Sequence, residues 1–146
     1  MASKVSLTSR ISRAFLDTNV LVYADDPRDP AKRRKALDII KEHRRLRTGV
    51  VSLQVLQEYF VSATGKLKLD AELAKQRIEV FAKFYVAEPK VDDILAAIDM
   101  HLLYHLTLWD TLILRCAKQS GCSVLLTEDM QHGQIIDGVR IVNPFL

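Results

Sequence analysis

The 146 residues are 49% apolar and 27% charged, an ordinary globular composition of one-domain length that excludes intrinsic disorder. The formal net charge of +3 leans mildly towards polyanions and is too small to identify a nucleic-acid partner by itself. Met1 to Arg13 holds no apolar run of signal-peptide length, and the longest apolar stretch, Leu102 to Leu114, is interrupted by His105, Thr107, Asp110 and Thr111; the sequence thus predicts no membrane partner and a cytoplasmic location.

Taken in order, the chain alternates strands and helices. Residues 13–17 read as a short buried strand, and Thr18 to Ala24 as a helix behind it. The turn cluster Asp25-Asp26-Pro27-Arg28-Asp29-Pro30 separates that helix from a second over 31–47, with Ala36, Leu37 and Ile40 inward and Gly49 as its stop. Val50-Val51 form a strand, and Ser52 can cap a helix from Leu53 to Thr64 that ends at Gly65. Leu69 to Phe84 is read as one helix and Tyr85 to Ala87 as a strand. Val91 to Leu103 carries a helical stripe of Ile94, Leu95, Ile98 and Leu102. Leu108 to Lys118 is apolar nearly all round, which predicts a buried helix. Ser123 to Leu126 and Val139 to Val142 are the last two strands. Cys116 and Cys122 read as reduced thiols in or near the core, since a single C-x5-C pair is no zinc site. This alternation predicts a three-layer α/β/α sandwich with a central parallel sheet, a single domain over 1–146 with residues 1–12 set apart as an N-terminal extension.

Function must come from the site, and the acids stand out. Asp17 lies between Leu16 and Val20, at the carboxyl end of the first strand. Parallel sheets bind ligands at that edge. A carboxylate there is useless for packing and costly to bury unpaired, so it belongs in a cleft, on a metal or on a helix terminus as its cap. On the helix from Leu53, the core stripe is Val55, Leu56, Tyr59, Phe60 and Ala63, and Glu58 points roughly 140° from its centre, towards a cleft or plain solvent. Asp110 fits a capping box with Thr107 as well as a site. Thr127-Glu128-Asp129 follows a strand, as Asp17 does, and reads as a second strand-end acid pair or as the start of a turn towards Gly133. Carboxylates clustered without Cys or His suit Mg²⁺ or Mn²⁺. Lys32, Arg33, Arg34, Lys35, Lys41, Arg44, Arg45 and Arg47 crowd one segment, as a solvated helix face or as a phosphate-binding patch. The four histidines, His43, His101, His105 and His132, are scattered and assigned to no metal.

The segments FLDTNVLVYA, QVLQEYF, LWDTLIL and LLTEDMQHG, followed by IVNPF, resemble the successive motifs of PIN domains. Within that family the chain looks most similar to small prokaryotic ribonucleases of VapC type, the toxins of toxin–antitoxin pairs. Each motif is weak alone; the ordered set from Ala14 to Phe145 is specific. The resemblance implies that Asp17, Glu58 and Asp110 are the first three family acids; family members differ in which acid of the last region faces the metal, so Asp129 is ranked first as the fourth, with Glu128 as the alternative or a helper. It matches Thr18 and Asn19 to the small polar pair after the first acid and Thr127 to the hydroxyl residue before the last. It implies hydrolysis of RNA phosphodiesters with Mg²⁺ or Mn²⁺, an antitoxin partner and a homodimer. In this reading Lys32, Arg33, Arg34, Lys35, Arg44 and Arg45 hold RNA. Two other classes stay in view. A phosphotransfer domain of the HAD or receiver type also puts an acid after its first strand, but Asn19 stands where a HAD enzyme has its second Asp, and no strand-end lysine follows Ser123. A binding module could keep the fold without activity, yet all four acids are present.

Overall fold

A computed structural model describes residues 12–146; the N-terminal extension expected over 1–12 lies, save for Ser12, outside the described residues. The first four strands run parallel to one another: β1 (Arg13–Leu16), β2 (Gly49–Ser52), β3 (Tyr85–Ala87) and β4 (Cys122–Leu126). A short antiparallel hairpin, β5 (Ile135–Ile136) and β6 (Val139–Val142), completes the sheet. The strand order is β3-β2-β1-β4-β6-β5. β1 pairs in parallel with both β2 and β4, and β4 with β6. The chain therefore leaves β1 in one direction towards β2 and β3 and returns on its other side as β4. That reversal opens a crevice beyond the carboxyl ends of β1 and β4, where parallel sheets bind ligands. Phe15, Leu16, Val50, Val51 and Leu125 are fully enclosed or nearly so, as a sheet covered on both faces requires.

The connections are α1 (Thr18–Tyr23), α2 (Pro30–Leu46), α3 (Leu53–Gly65), α4 (Ala71–Phe81), α5 (Val91–Tyr104) and α6 (Leu108–Gln119). Helices α1 to α4 pack within one group and α5 packs on α6. The right-handed crossover rule sets the two groups on opposite faces, which gives the sandwich its outer layers. Sequence marks the helix starts clearly. Asp29 caps α2 with Pro30 in its first turn, Ser52 caps α3 through Val55 N, and Thr107 caps α6 through Asp110 N.

Several expectations about packing differ from the fold. α4 starts at Ala71 behind the cap Asp70 and ends at Phe81, shorter at both ends than the span Leu69 to Phe84. Arg47, with φ 57°, ends α2, and Gly49 is already in β2. Gly49 is small for another reason: a Cβ there would lie 2.5 Å from the Phe84 ring. Leu37 on α2 and Phe60 on α3 reach solvent instead of the core. On α5, for which the sequence predicts a stripe without a direction, Ile94, Leu95, Ile98 and Leu102 are all exposed, while Ala97 and Met100 face inward. α6 is buried along Thr111, Leu112, Ile113, Leu114, Cys116 and Ala117, as its apolar sequence predicts. Cys116 and Cys122 are free and buried, and burial pushes their thiols up to about 11 and about 12. Among the described residues no helix is long and apolar enough to cross a membrane.

Candidate active site

The four acids reach the crevice from four elements. Asp17 follows β1 and is both cap and buried acid, so the two readings of its sequence position merge. Its Oδ1 accepts the Thr18 amide at 2.7 Å, and its Oδ2 accepts the Thr127 hydroxyl at 2.7 Å. Only 3% of Asp17 is exposed. Glu58 comes from the polar side of α3 and faces the crevice: Oε2 accepts the Thr18 hydroxyl at 2.8 Å and Oε1 accepts the Gln54 amide at 2.8 Å. Asp110 sits in the first turn of α6. Asp129 follows β4, and its Oδ2 accepts the Asn19 amide at 3.1 Å.

The short polar residues tie these acids into one network. The Thr127 hydroxyl accepts from Asn19 Nδ2 and from Asp129 N, each at 3.1 Å, and donates to Asp17. A hydroxyl has two acceptor sites and one proton, so Thr127 is fully used and its proton must point at Asp17. Asp17 therefore receives a hydrogen bond on each oxygen. An asparagine in its place would have to turn an N–H₂ towards one of those two donors. Thr18 and Asn19, adjacent in sequence, hold Glu58 and Asp129 respectively because successive residues of a helix start diverge by about 100°.

Electrostatically the site resists its own charge. Burial raises Asp17 from 3.8 to about 6; the hydrogen bonds from Thr127 and Thr18 lower it, and the charges on Asp129 and Glu58 raise it again. Burial also raises Asp110, opposed by Thr107 and reinforced by Asp129 and Glu58. Both acids thus feel the same two neighbours, which brings all four sequence candidates into one electrostatic cluster. Among the described residues no three Asp, Glu, His or Cys side chains stand close enough to share an ion as placed. The donor chemistry still fits a hard divalent cation: the cluster offers carboxylate oxygens, hydroxyls and an amide, with no sulfur or imidazole among them.

Glu128 lines the same cleft as Glu58 and Asp129, but its carboxylate is engaged by other partners. It accepts the Tyr23 hydroxyl and, at 3.1 Å, the Lys32 ammonium. Lys32 also donates to the Tyr23 hydroxyl at 3.2 Å and lies 4.8 Å from the Tyr23 ring centre. The structure thus places one member of the basic run, Lys32, beside the site and pairs it with the candidate helper acid. Of the others, Arg33 bonds the Ala24 carbonyl at 3.4 Å and Arg45 pairs with Glu42. Arg34 and Lys35 are exposed. Arg44 stands at the opposite edge of the sheet, with Arg47 and Gly49.

A cleft of about 290 Å³ opens beside the acids, walled by Thr18, Asn19, Glu58 and Asp129, with Arg28 and Lys66 among its lining. Sequence reasoning missed these two cations and Tyr23. Arg28 is fixed by a two-pronged contact to the buried Asp26, both distances 2.9 Å, and this guanidinium holds the Asp26 carboxyl down at about 2. Lys66 was legible in principle: Glu58, Ser62 and Lys66 recur every four residues, so α3 and its C-cap Lys66 carry them down one side to the same cleft.

The comparisons with known proteins agree with this architecture. No curated protein sequence matches the chain. A solved toxin–antitoxin complex from Klebsiella pneumoniae has a chain with TM-score 0.68 and 21% identity, covering 90% of this chain and 97% of that one. VapC20 of Mycobacterium tuberculosis, described as a toxin that cleaves the sarcin–ricin loop, gives TM-score 0.60 at 17% identity, over 77% of this chain and 86% of its own. VapBC2 of Rickettsia felis, solved on a DNA fragment from its promoter, gives 0.59 at 15% identity, over 88% and 96%. At such identities the likeness is one of fold. The family model of the PIN domain matches residues 14–135, from the strand before Asp17 to beyond Asp129, and the chain belongs to the PIN domain family.

Proposed function

We propose that the protein is a divalent-metal-dependent endoribonuclease, the toxin half of a toxin–antitoxin pair. The observation that carries this reading is the convergence of Asp17, Glu58, Asp110 and Asp129 at the switch point of the sheet, with Thr18, Asn19 and Thr127 holding three of them. Asp17, Asp110 and Asp129 would hold Mg²⁺ or Mn²⁺, with Glu58 direct or through water. A bound ion of this kind activates a water and stabilises charge on a phosphate under in-line attack. The chain's own part is to keep the carboxylates aimed. Thr127 fixes Asp17, Asn19 fixes Asp129, and Thr18 fixes Glu58. The cations bordering the cleft, Arg28 and Lys66, with Lys32 and the adjoining Arg33, Arg34 and Lys35, bring the RNA phosphates to an otherwise repelling site.

The partners follow from surface that the fold leaves open. α5 exposes Val91, Ile94, Leu95, Ile98 and Leu102 on one side, a stripe at helical spacing that a lone chain has no reason to keep. A second copy of the chain is proposed to cover it, and a cognate antitoxin to block the cleft in a cytoplasmic complex.

The test is cleavage of total RNA by the purified protein with Mg²⁺ or Mn²⁺, against EDTA and against Asp129→Asn. Cutting that needs the metal and vanishes in the variant supports the nuclease. Metal binding absent by calorimetry, together with no cutting, would favour a non-catalytic module.

A further inference from the structure

A concentration of unneutralised positive charge lies away from the acids, at the other edge of the sheet. Arg13, Gly49 and Tyr85 are the first residues of β1, β2 and β3, three adjacent parallel strands. Where they begin, a cavity of about 410 Å³ opens, bordered by Arg13, His43, Arg44, Arg47 and Lys83, with Gly49, Phe84 and Tyr85 beside them. Among the described residues no carboxylate lines it. Among the described residues, Arg13, Arg44, Arg47 and Lys83 make no ion pair, although six such pairs occur elsewhere. Residues 1–11 contain Lys4 and Arg10 and no acid, so they cannot neutralise the cluster with a side-chain carboxylate.

The cavity is shaped, not merely charged. Arg13 donates to the Ser120 carbonyl at 3.1 Å and lies 5.4 Å from the centre of the Tyr85 ring. Tyr85 is 55% exposed at the rim. Arg47 is held out by the left-handed turn that ends α2. The absence of a side chain on Gly49 lets Phe84 close the floor. Cations around a concavity of this size, with an aromatic face at its mouth, match the chemistry of single-stranded nucleic acid: phosphates to the guanidinium groups, a base to the ring. A duplex is a rod, whose phosphates would meet only the rim.

We propose that this amino-edge pocket binds single-stranded RNA through its phosphates and one stacked base, as a second anchoring site separate from the acid cleft. The identity of the strand rests on the ribonuclease reading; the binding chemistry does not. The test is fluorescence anisotropy of a labelled single-stranded RNA oligonucleotide in EDTA, where no turnover is needed. The triple variant Arg44→Ala, Arg47→Gly, Lys83→Ala is compared with a charge-matched control, Lys68→Gly, Lys75→Ala, Arg140→Ala. All six positions are exposed, and Gly suits the positive φ of Arg47 and Lys68. The pocket triple is expected to weaken binding at least about tenfold and to make the salt dependence shallower by about 2 in the log–log slope, near 0.7 per lost contact. The control is expected to lose much less. Tyr85→Leu should cost roughly a further fivefold through stacking. Equal losses in the two triples would reduce the pocket to bulk charge and overturn the proposal, as would tighter binding of an RNA or DNA duplex than of the strand. Failure of the nuclease reading shows separately, as RNA that binds but is never cut when Mg²⁺ is restored.

Discussion

The two ends of one parallel sheet carry opposite charge and are built in opposite ways. At the carboxyl end the acids sit on short stems, and Asp17, Glu58 and Asp129 are each gripped by a neighbour: Asp17 by Thr18 and Thr127, Glu58 by Thr18 and Gln54, Asp129 by Asn19. At the amino end the cations sit on long stems, and among the described residues only Arg13 is tied down, through Ser120. Groups that must hold reacting atoms gain from being fixed before the ligand arrives. Groups that track a flexible polyanion gain from reach, and Arg and Lys keep it. The difference teaches that rigidity marks where chemistry is expected, and mobility of long side chains marks where binding is.

The comparison breaks first at the acids. Asp129→Asn should lower metal-dependent RNA cleavage by more than about a hundredfold, since even partners one step behind a metal ligand typically cost 10–100-fold. A gel assay on total RNA reads it, and unchanged cutting would remove Asp129 from the site. Asp17→Asn should be equally inactive but less stable than Asp129→Asn, because its amide must face a donor. Thr127→Val tests the grip itself. It strips Asp17 and Asn19 of a partner without touching any carboxylate, so metal affinity by calorimetry should fall by about 10–100-fold. Thr127→Ser should recover most of it; failure of serine to do so would mean that Thr127 matters through its methyl group.

Much of this was legible in the chain, for identifiable reasons. Asp17, Ser52 and Thr107 announce helix starts because a cap is a local matter, decided within three residues. The parallel strands follow from apolar runs between helices, and the PIN order of motifs spans most of the chain. The α5 stripe was legible as a stripe but not as exposed, because periodicity shows that a face is apolar without showing what covers it. Gly49 read as a helix stop, since nothing in its local sequence announces the Phe84 ring more than thirty residues away. The split between Glu128 and Asp129 was hidden for the same reason: it depends on Tyr23 and Lys32, which reach Glu128 only once β1 and β4 are paired.

Within the acid end, two carboxylates should respond to pH in opposite ways when no metal is bound. Asp17 is raised from 3.8 to about 6 in the folded chain, so folding favours its protonated form. That contribution is fully present below pH 4 and is lost as pH rises through 6, roughly 3 kcal/mol in all. Denaturant unfolding in EDTA should show the decline, and saturating Mg²⁺ should offset it by favouring the ionised form. A metal-free stability that climbs from pH 4 to 6 would reverse the sign assigned to Asp17. Asp26 provides the internal contrast. Arg28 holds it at about 2, so its contribution is present above pH 4 and disappears only as pH falls towards 2; Asp26→Asn should erase that acid limb alone.

The smallest effect expected is at the amino end, and it separates shape from charge there. Gly49→Ala adds one methyl that would meet the Phe84 ring at 2.5 Å. Phe84 is 7% exposed and its ring lies against Gly49 of β2, so it has little room to give. Overpacking of this kind costs about 1–3 kcal/mol, read as a lower denaturation midpoint with unchanged slope. Phe84→Leu combined with Gly49→Ala should recover part of that loss, since the two changes relieve one contact and are not additive. The acid cleft is at the far end of the strands, so metal affinity should stay within error in both variants, while RNA affinity in EDTA falls with the distorted pocket floor. If Gly49→Ala lowers stability but leaves RNA affinity intact, the floor serves only packing, and the amino end binds by charge without shape.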